Sequence, residues 1–159
     1  MQHLVRHFGS LSNAWQASDG EILFAGLPQA VADEILRTRH QVDPLKELAA
    51  LDKAGVLALT LADVDYPENL RNIPTLPAVL YMRGSLDPAD AVAVAVVGTR
   101  KPSRYGLEAT RRIVADLARA GITIVSGLAL GIDAAAHEAC LEAGGRTLAV
   151  LGSGVDVIY

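Results

Sequence analysis

The chain has 159 residues, of which 51% are hydrophobic, with one cysteine and a formal net charge of −4. That length allows one sizeable domain, or a small and a medium one, with apolar residues enough for a core. No apolar run approaches the roughly 20 residues of a membrane span, no signal-peptide pattern opens the chain, and a single cysteine excludes an internal disulfide framework; the expectation is a soluble, cytoplasmic protein with no membrane partner.

Residues 1–55 read as a small all-helical domain. Ser10 can cap a turn running through Trp15, and Ser18 with Glu21 forms a capping-box pattern that opens a second short helix. Gly26-Leu27-Pro28 breaks the chain. Gln29 to Arg39 then carries Ala30, Val31, Ile35 and Leu36 at helical spacing. Asp43-Pro44 is a cap followed by proline at the first helical position, and Gly55 closes that helix. FAGLPQAVADEIL resembles one hairpin of a helix-hairpin-helix element, whose turn can offer backbone N–H groups to DNA phosphates. Packing alone accounts for it, and the structural reading is preferred to DNA contact.

Residues 56–90 read as a connector and extension leading into a sheet. Val56–Leu59 and Ala78–Met82 are short strands. Pro67, Pro74 and Pro77 restrict the stretch between them to at most one helical turn, over Glu68–Arg71. Over residues 91–159 strands and helices alternate: Val92–Val97, Arg104–Ala120, Ile122–Val125, Ile132–Ala143 and Thr147–Leu151. The fold class is α/β, a partial Rossmann-like parallel sheet with right-handed crossovers. Val92–Val97 is a continuous, β-branched run, which predicts a buried strand. The three strands stop at Gly98-Thr99, Ser126-Gly127 and Gly152-Ser153-Gly154. Parallel strands place these ends on one sheet edge. The expected result is a floor of backbone N–H groups and hydroxyls suited to a phosphate or another anion.

Charge is concentrated near the first of these ends. Arg100, Lys101, Arg104, Arg111 and Arg112 fall between Gly98 and Arg112 with Glu108 as the only acid. Arg111 and Arg112 read as a solvated helix face. Arg100, directly after a strand-ending glycine, reads as functional. A G-x-G-x-x-G pattern is absent and Ser126-Gly127 stands where a ribose-binding acid belongs, which argues against a nicotinamide cofactor. There is no P-loop. Asp133 and His137, four apart on a helix, lack a third metal ligand and read as a structural pair. Cys140 reads as a buried small apolar residue. No cofactor, metal or catalytic residue is assigned.

VAVVGTRKPSRYG, IVSGLALGIDAAAH and TLAVLGSGVDVIY, in that order, resemble the DNA-processing protein A family (DprA, also called Smf), bacterial proteins of natural transformation. DVDYPENLRNIPTLPAVLYMRG resembles the segment that leads into their Rossmann-like domain, so the likeness runs from about Ala62 to Tyr159. The helical residues before it resemble the family's SAM-like domain more loosely. The resemblance implies a non-enzymatic protein that binds single-stranded DNA with little sequence preference. It implies protection of incoming strands, loading of the RecA recombinase during recombination, and a homodimer in the full-length protein. Carried over by position, Gly98, Thr99 and Arg100, with Lys101 beside them, match the first loop. Ser103, Arg104, Tyr105 and Gly106 match the turn into the next helix. Ser126, Gly127, Gly131, Asp133 and His137 match the second motif, and Gly152, Gly154 and Asp156 the third. Arg100 is expected to hold a phosphate; Tyr105 either stacks on a base or packs the loop. Two departures stand out. Leu130 occupies a position where the family often has Lys or Arg. The chain also stops where the family continues, so an internal fragment or a truncated gene product is expected, its SAM-like domain incomplete at the start and one sheet face without cover. The rival reading is a nucleoside-monophosphate phosphoribohydrolase of related fold, whose PGGxGT-type loop is not found here. A third is a structural remnant without activity.

Overall fold

The structure is a computed structural model that describes residues 2–157. The last two residues of the third motif, Ile158 and Tyr159, lie outside them.

Local capping chemistry sets the helical half: α1 (Gln2–Phe8), α2 (Leu11–Gln16), α3 (Asp19–Phe24), α4 (Gln29–Arg39) and α5 (Pro44–Lys53). Ser10 Oγ accepts the Asn13 N–H at 3.0 Å. The Ser18 N–H donates to Glu21 Oε2 at 2.7 Å while the Glu21 N–H donates back to Ser18 Oγ, completing the capping box. Asp43 caps α5 through the Leu45 N–H. Ala14, Ile22, Ala25 and Ala32 are buried between these helices. Arg39 locks the arrangement from the end of α4: it donates to the carbonyls of Trp15 and Ala17 and pairs with Asp19.

Next, β1 (Leu57–Thr60) and β2 (Val79–Met82) form an antiparallel pair, with α6 (Glu68–Arg71) between them. The proline-rich connector is held by Tyr66. Its ring is buried, its hydroxyl donates to the Pro77 carbonyl at 2.7 Å, and the Arg71 guanidinium lies 5.2 Å from the ring centroid.

The second sheet contains β3 (Ala93–Ala95), β4 (Thr123–Ser126) and β5 (Thr147–Ala149), parallel and in that order, joined by α7 (Arg104–Arg119) and α8 (Ile132–Glu142). Strand order follows chain order, so right-handed crossovers put both helices on one face. There α7 and α8 pack on each other and on β4. Val114, Ala118, Ile124, Ala136, Ala139 and Cys140 form the core. The alanines let α8 approach closely, and the Cys140 thiol, pushed up by burial, donates to the Arg146 carbonyl at 3.2 Å.

The opposite face carries Ala93, Ala95, Val97, Val125, Leu148 and Val150 by the two-residue alternation of the strands. Val97 is 70% and Val150 66% exposed. The predicted burial of Val92–Val97 is therefore corrected: all three β3 residues are exposed, because β3 is an edge strand with helices on one side only. Two strands are also shorter than predicted. Past Ala95 the ladder continues only as Val96 N–H to Val125 O, and past Ala149 as Val150 N–H to Ser126 O.

A 3-10 turn at Pro88–Ala91, not foreseen from the sequence, fastens the extension to the amino end of this sheet. Asp90 accepts Arg146 Nε at 2.5 Å, Arg146 Nη2 at 2.7 Å and the Thr123 hydroxyl at 3.0 Å. Arg146 also donates to the Ser85 carbonyl. The Arg146 hydrogen bonds hold the Asp90 carboxyl at about 2, below its ordinary 3.8. A carboxyl lowered on folding stabilises the protein above its unfolded-state pKa, and that contribution disappears as pH falls toward the folded value. Asp90→Asn should therefore cost about 1–2 kcal/mol at neutral pH, allowing for solvent screening at half-exposed Arg146. Urea unfolding from about pH 4.5 down to about pH 2.5 should also lose less stability in the variant than in the parent chain.

Candidate nucleic-acid interface

The site forms where β3 and β4 end. Beyond β3 the chain runs through Gly98, Thr99, Arg100 and Lys101. Thr99 Oγ1 accepts the Lys101 N–H, and Ser103 Oγ caps α7 through the Gly106 N–H at 3.1 Å. Beyond β4 a loop over 127–131 leads into α8, and Asp133 stands in the first turn of that helix.

Asp133 is 6% exposed, and its two oxygens face two different loops. Oδ1 accepts the Gly98 N–H and Oδ2 the Gly127 N–H, each at 3.2 Å. The Ile132 N–H donates to the Thr99 carbonyl at 3.2 Å. Gly131 has φ of 91°, and a Cβ there would overlap the Thr99 carbonyl and the Arg100 backbone. Gly98 lies so close to Ile132 that a Cβ would come within 2.7 Å of its side chain. The two loops thus interlock. The predicted open floor of N–H groups is corrected at its centre: the Gly98 and Gly127 N–H groups are turned inward onto a carboxylate of the chain itself.

Several of the predicted site residues are interior supports. Ser126 is buried and donates to the Val96 carbonyl at 2.6 Å. His137 is 7% exposed. The Thr147 hydroxyl donates to the Ile124 carbonyl, so it accepts from His137 Nδ1, 2.8 Å away. That fixes the tautomer and leaves Nε2 buried without a hydrogen-bond partner among the described residues. Burial lowers the His137 pKa, and the nearby Asp133 opposes this only in part. Gly152 and Gly154 are exposed in the third loop, with Asp156 close to Gly154. That loop starts beside the second, where a side chain on Gly127 would touch the Val150 carbonyl.

What faces outward is a set of side chains. Arg104 pairs with Glu108, Arg111 with Glu138 and Arg119 with Asp116. Arg100 and Lys101 are exposed and have no acidic partner among the described residues. Tyr105 is 80% exposed, so it does not pack the loop. Leu130 is 76% exposed on the loop that rests against Arg100. Leu128, which the sequence did not single out, holds a left-handed φ of 59°. That conformation costs a non-glycine residue roughly 1–2 kcal/mol, and only the small residues around it hinted at so tight a loop. Among the described residues, no group of His, Cys, Asp and Glu could hold a metal, and no helix is long and apolar enough to cross a membrane.

A family model described as DNA recombination-mediator protein A matches residues 57–159. The chain belongs to the DNA recombination-mediator protein A family. Protein Smf of Synechocystis sp. is 42% identical across all of this chain, which spans 41% of that relative. DNA processing protein DprA of Streptococcus pneumoniae is 42% identical over 64% of this chain and 36% of its own length. The X-ray structure of DprA from Streptococcus pneumoniae superposes with a TM-score of 0.73 at 31% identity, covering all of this chain and 56% of that one. A DprA structure from Helicobacter pylori, described for its single-stranded DNA binding mode, gives a TM-score of 0.55 at 33% identity over 64% of this chain and 46% of that one. The chain thus spans well under half the length of these curated relatives.

The buried environment of His137 has a consequence for stability. With its folded pKa depressed, the unfolded state binds the proton first as pH falls below about 6.5, and stability drops from there toward the folded value. Denaturant unfolding should show this loss between about pH 7 and pH 5, and His137→Gln should flatten it.

Proposed function

We propose that this chain contributes the phosphate-holding part of a single-stranded DNA-binding protein that serves DNA processing in natural transformation. The observation that carries this reading is Arg100. It is an exposed guanidinium with no acidic partner among the described residues, mounted on a backbone that two interlocked loops hold in place. An arginine fork can grip one phosphate through two hydrogen bonds, and Lys101 adds a point charge beside it. Tyr105 and Leu130 supply exposed apolar area on which bases can rest without sequence readout. The reading draws support from the Helicobacter pylori relative described for its single-stranded DNA binding mode. In this proposal Gly98, Thr99, Arg104, Gly106, Gly131, Gly152 and Gly154 shape the strand's path, while Ser126, Asp133 and His137 support it from inside. The protein is a binding module and not an enzyme. In the complete protein it would work in the cytoplasm as a homodimer and deliver the strand to RecA. In this proposal residues 1–55 form a helical domain and residues 91–159 a Rossmann-like domain, with 56–90 as the connector and extension that leads into the sheet.

Fluorescence anisotropy with an oligo-dT strand tests the site. Arg100→Ala should weaken binding about tenfold and reduce the slope of log K against log salt by about 0.7, the loss of one phosphate contact. Unchanged affinity in a folded variant refutes the assignment. Leu130→Lys should act in the opposite direction, tightening binding and steepening the slope by about 0.7, because its side chain leaves the loop next to Arg100.

A further inference from the structure

We propose that Asp133 is a positioning residue for DNA binding: its carboxylate touches no ligand, yet it sets where Arg100 stands. The inference rests on the reading of Arg100 as a phosphate contact. Three observations converge on it. Asp133 bridges the two loops, one oxygen on the Gly98 N–H and the other on the Gly127 N–H. Gly98 is two residues before Arg100, and the next tie along the chain, from the Thr99 carbonyl to the Ile132 N–H, returns to the residue adjoining Asp133. Gly131, two residues before Asp133, lies where a Cβ would come within 2.8 Å of the Arg100 backbone. The Arg100 backbone is therefore flanked by contacts that lead back to the start of α8. Its own strand offers little restraint, since β3 is a three-residue exposed edge. The carboxylate is also suited to the task electrically: it satisfies both N–H groups at the helix end where negative charge is favoured. Because it takes those donors, phosphate is left to the side chains outside.

A double-mutant cycle separates positioning from general structural support. Asp133→Asn keeps one acceptor and presents an amide N–H to the other loop. In the parent chain it should weaken oligo-dT binding about tenfold, and in the Arg100→Ala background it should weaken it hardly at all, since Asp133 acts through Arg100. Equal weakening in both backgrounds, or none in the parent, overturns the proposal. A null effect of Arg100→Ala by itself instead removes the binding reading on which the proposal stands. Should Asp133→Asn fail to unfold cooperatively, Asp133→Glu enters the same cycle, keeping the charge while moving both oxygens outward. In the parent chain without DNA, the Gly98 and Gly127 amides should exchange slowly with solvent. Exchange at the rate of an open loop overturns the proposal without any variant.

Discussion

The candidate site depends on one buried carboxylate placed between two strand ends. Glycines at the carboxyl ends of parallel strands leave N–H groups without ladder partners, and buried donors of that kind must be satisfied. In many α/β proteins a bound anion does this. Here Asp133 does it from within the chain, so the loops are ordered without a ligand. The glycines follow from the same constraint. Gly98 and Gly131 lie where a side chain would collide with Ile132 or with the first loop, so each is needed for the loops to close on the carboxylate.

An internal anion changes what the outer surface can offer. With the central N–H groups occupied, attraction for a polyanion has to come from long cationic side chains. Most of the cations along α7 are neutralised by acids on the same helix or on α8. Among the described residues Arg112 on α7 and Arg100 and Lys101 at the loop remain without an ion pair, and the last two stand together. The effect is a small focus of positive potential on a protein whose net charge is negative, an arrangement that suits the proposed hold on a phosphodiester better than indiscriminate adhesion. Unpaired guanidinium and ammonium groups also keep their full salt dependence, whereas an ion-paired arginine must first give up its acid.

Much of this was legible in the sequence, for identifiable reasons. Ser10, Ser18 with Glu21, and Asp43-Pro44 announce helix starts by short-range hydrogen bonding, and the structure shows those bonds. The alternation after residue 91 gave the parallel sheet, and the small residues at strand ends gave the edge on which the candidate site is placed. What the pattern did not show was direction. Spacing puts Asp133 and His137 on one helix face, but not that one turns to two backbone amides and the other to Thr147. An apolar run such as Val92–Val97 also reads alike whether it is central or at an edge, because local sequence does not encode which neighbours cover it. The Asp90–Arg146 clasp is not written in local sequence for a related reason: its partners are 56 residues apart.

The weakness of β3 explains why the carboxylate matters. A strand of three exposed residues at a sheet edge has few ladder bonds and is covered on one face only. A loop mounted on such a strand alone would share its mobility, and a mobile arginine gives up much of its binding free energy to ordering. Asp133 is instead rooted in α8, whose first turns are buried against β4 and whose alanines pack closely on α7. The first loop therefore takes its rigidity from the second, and Arg100 is carried by the well-packed centre of the fold although it follows the least protected strand.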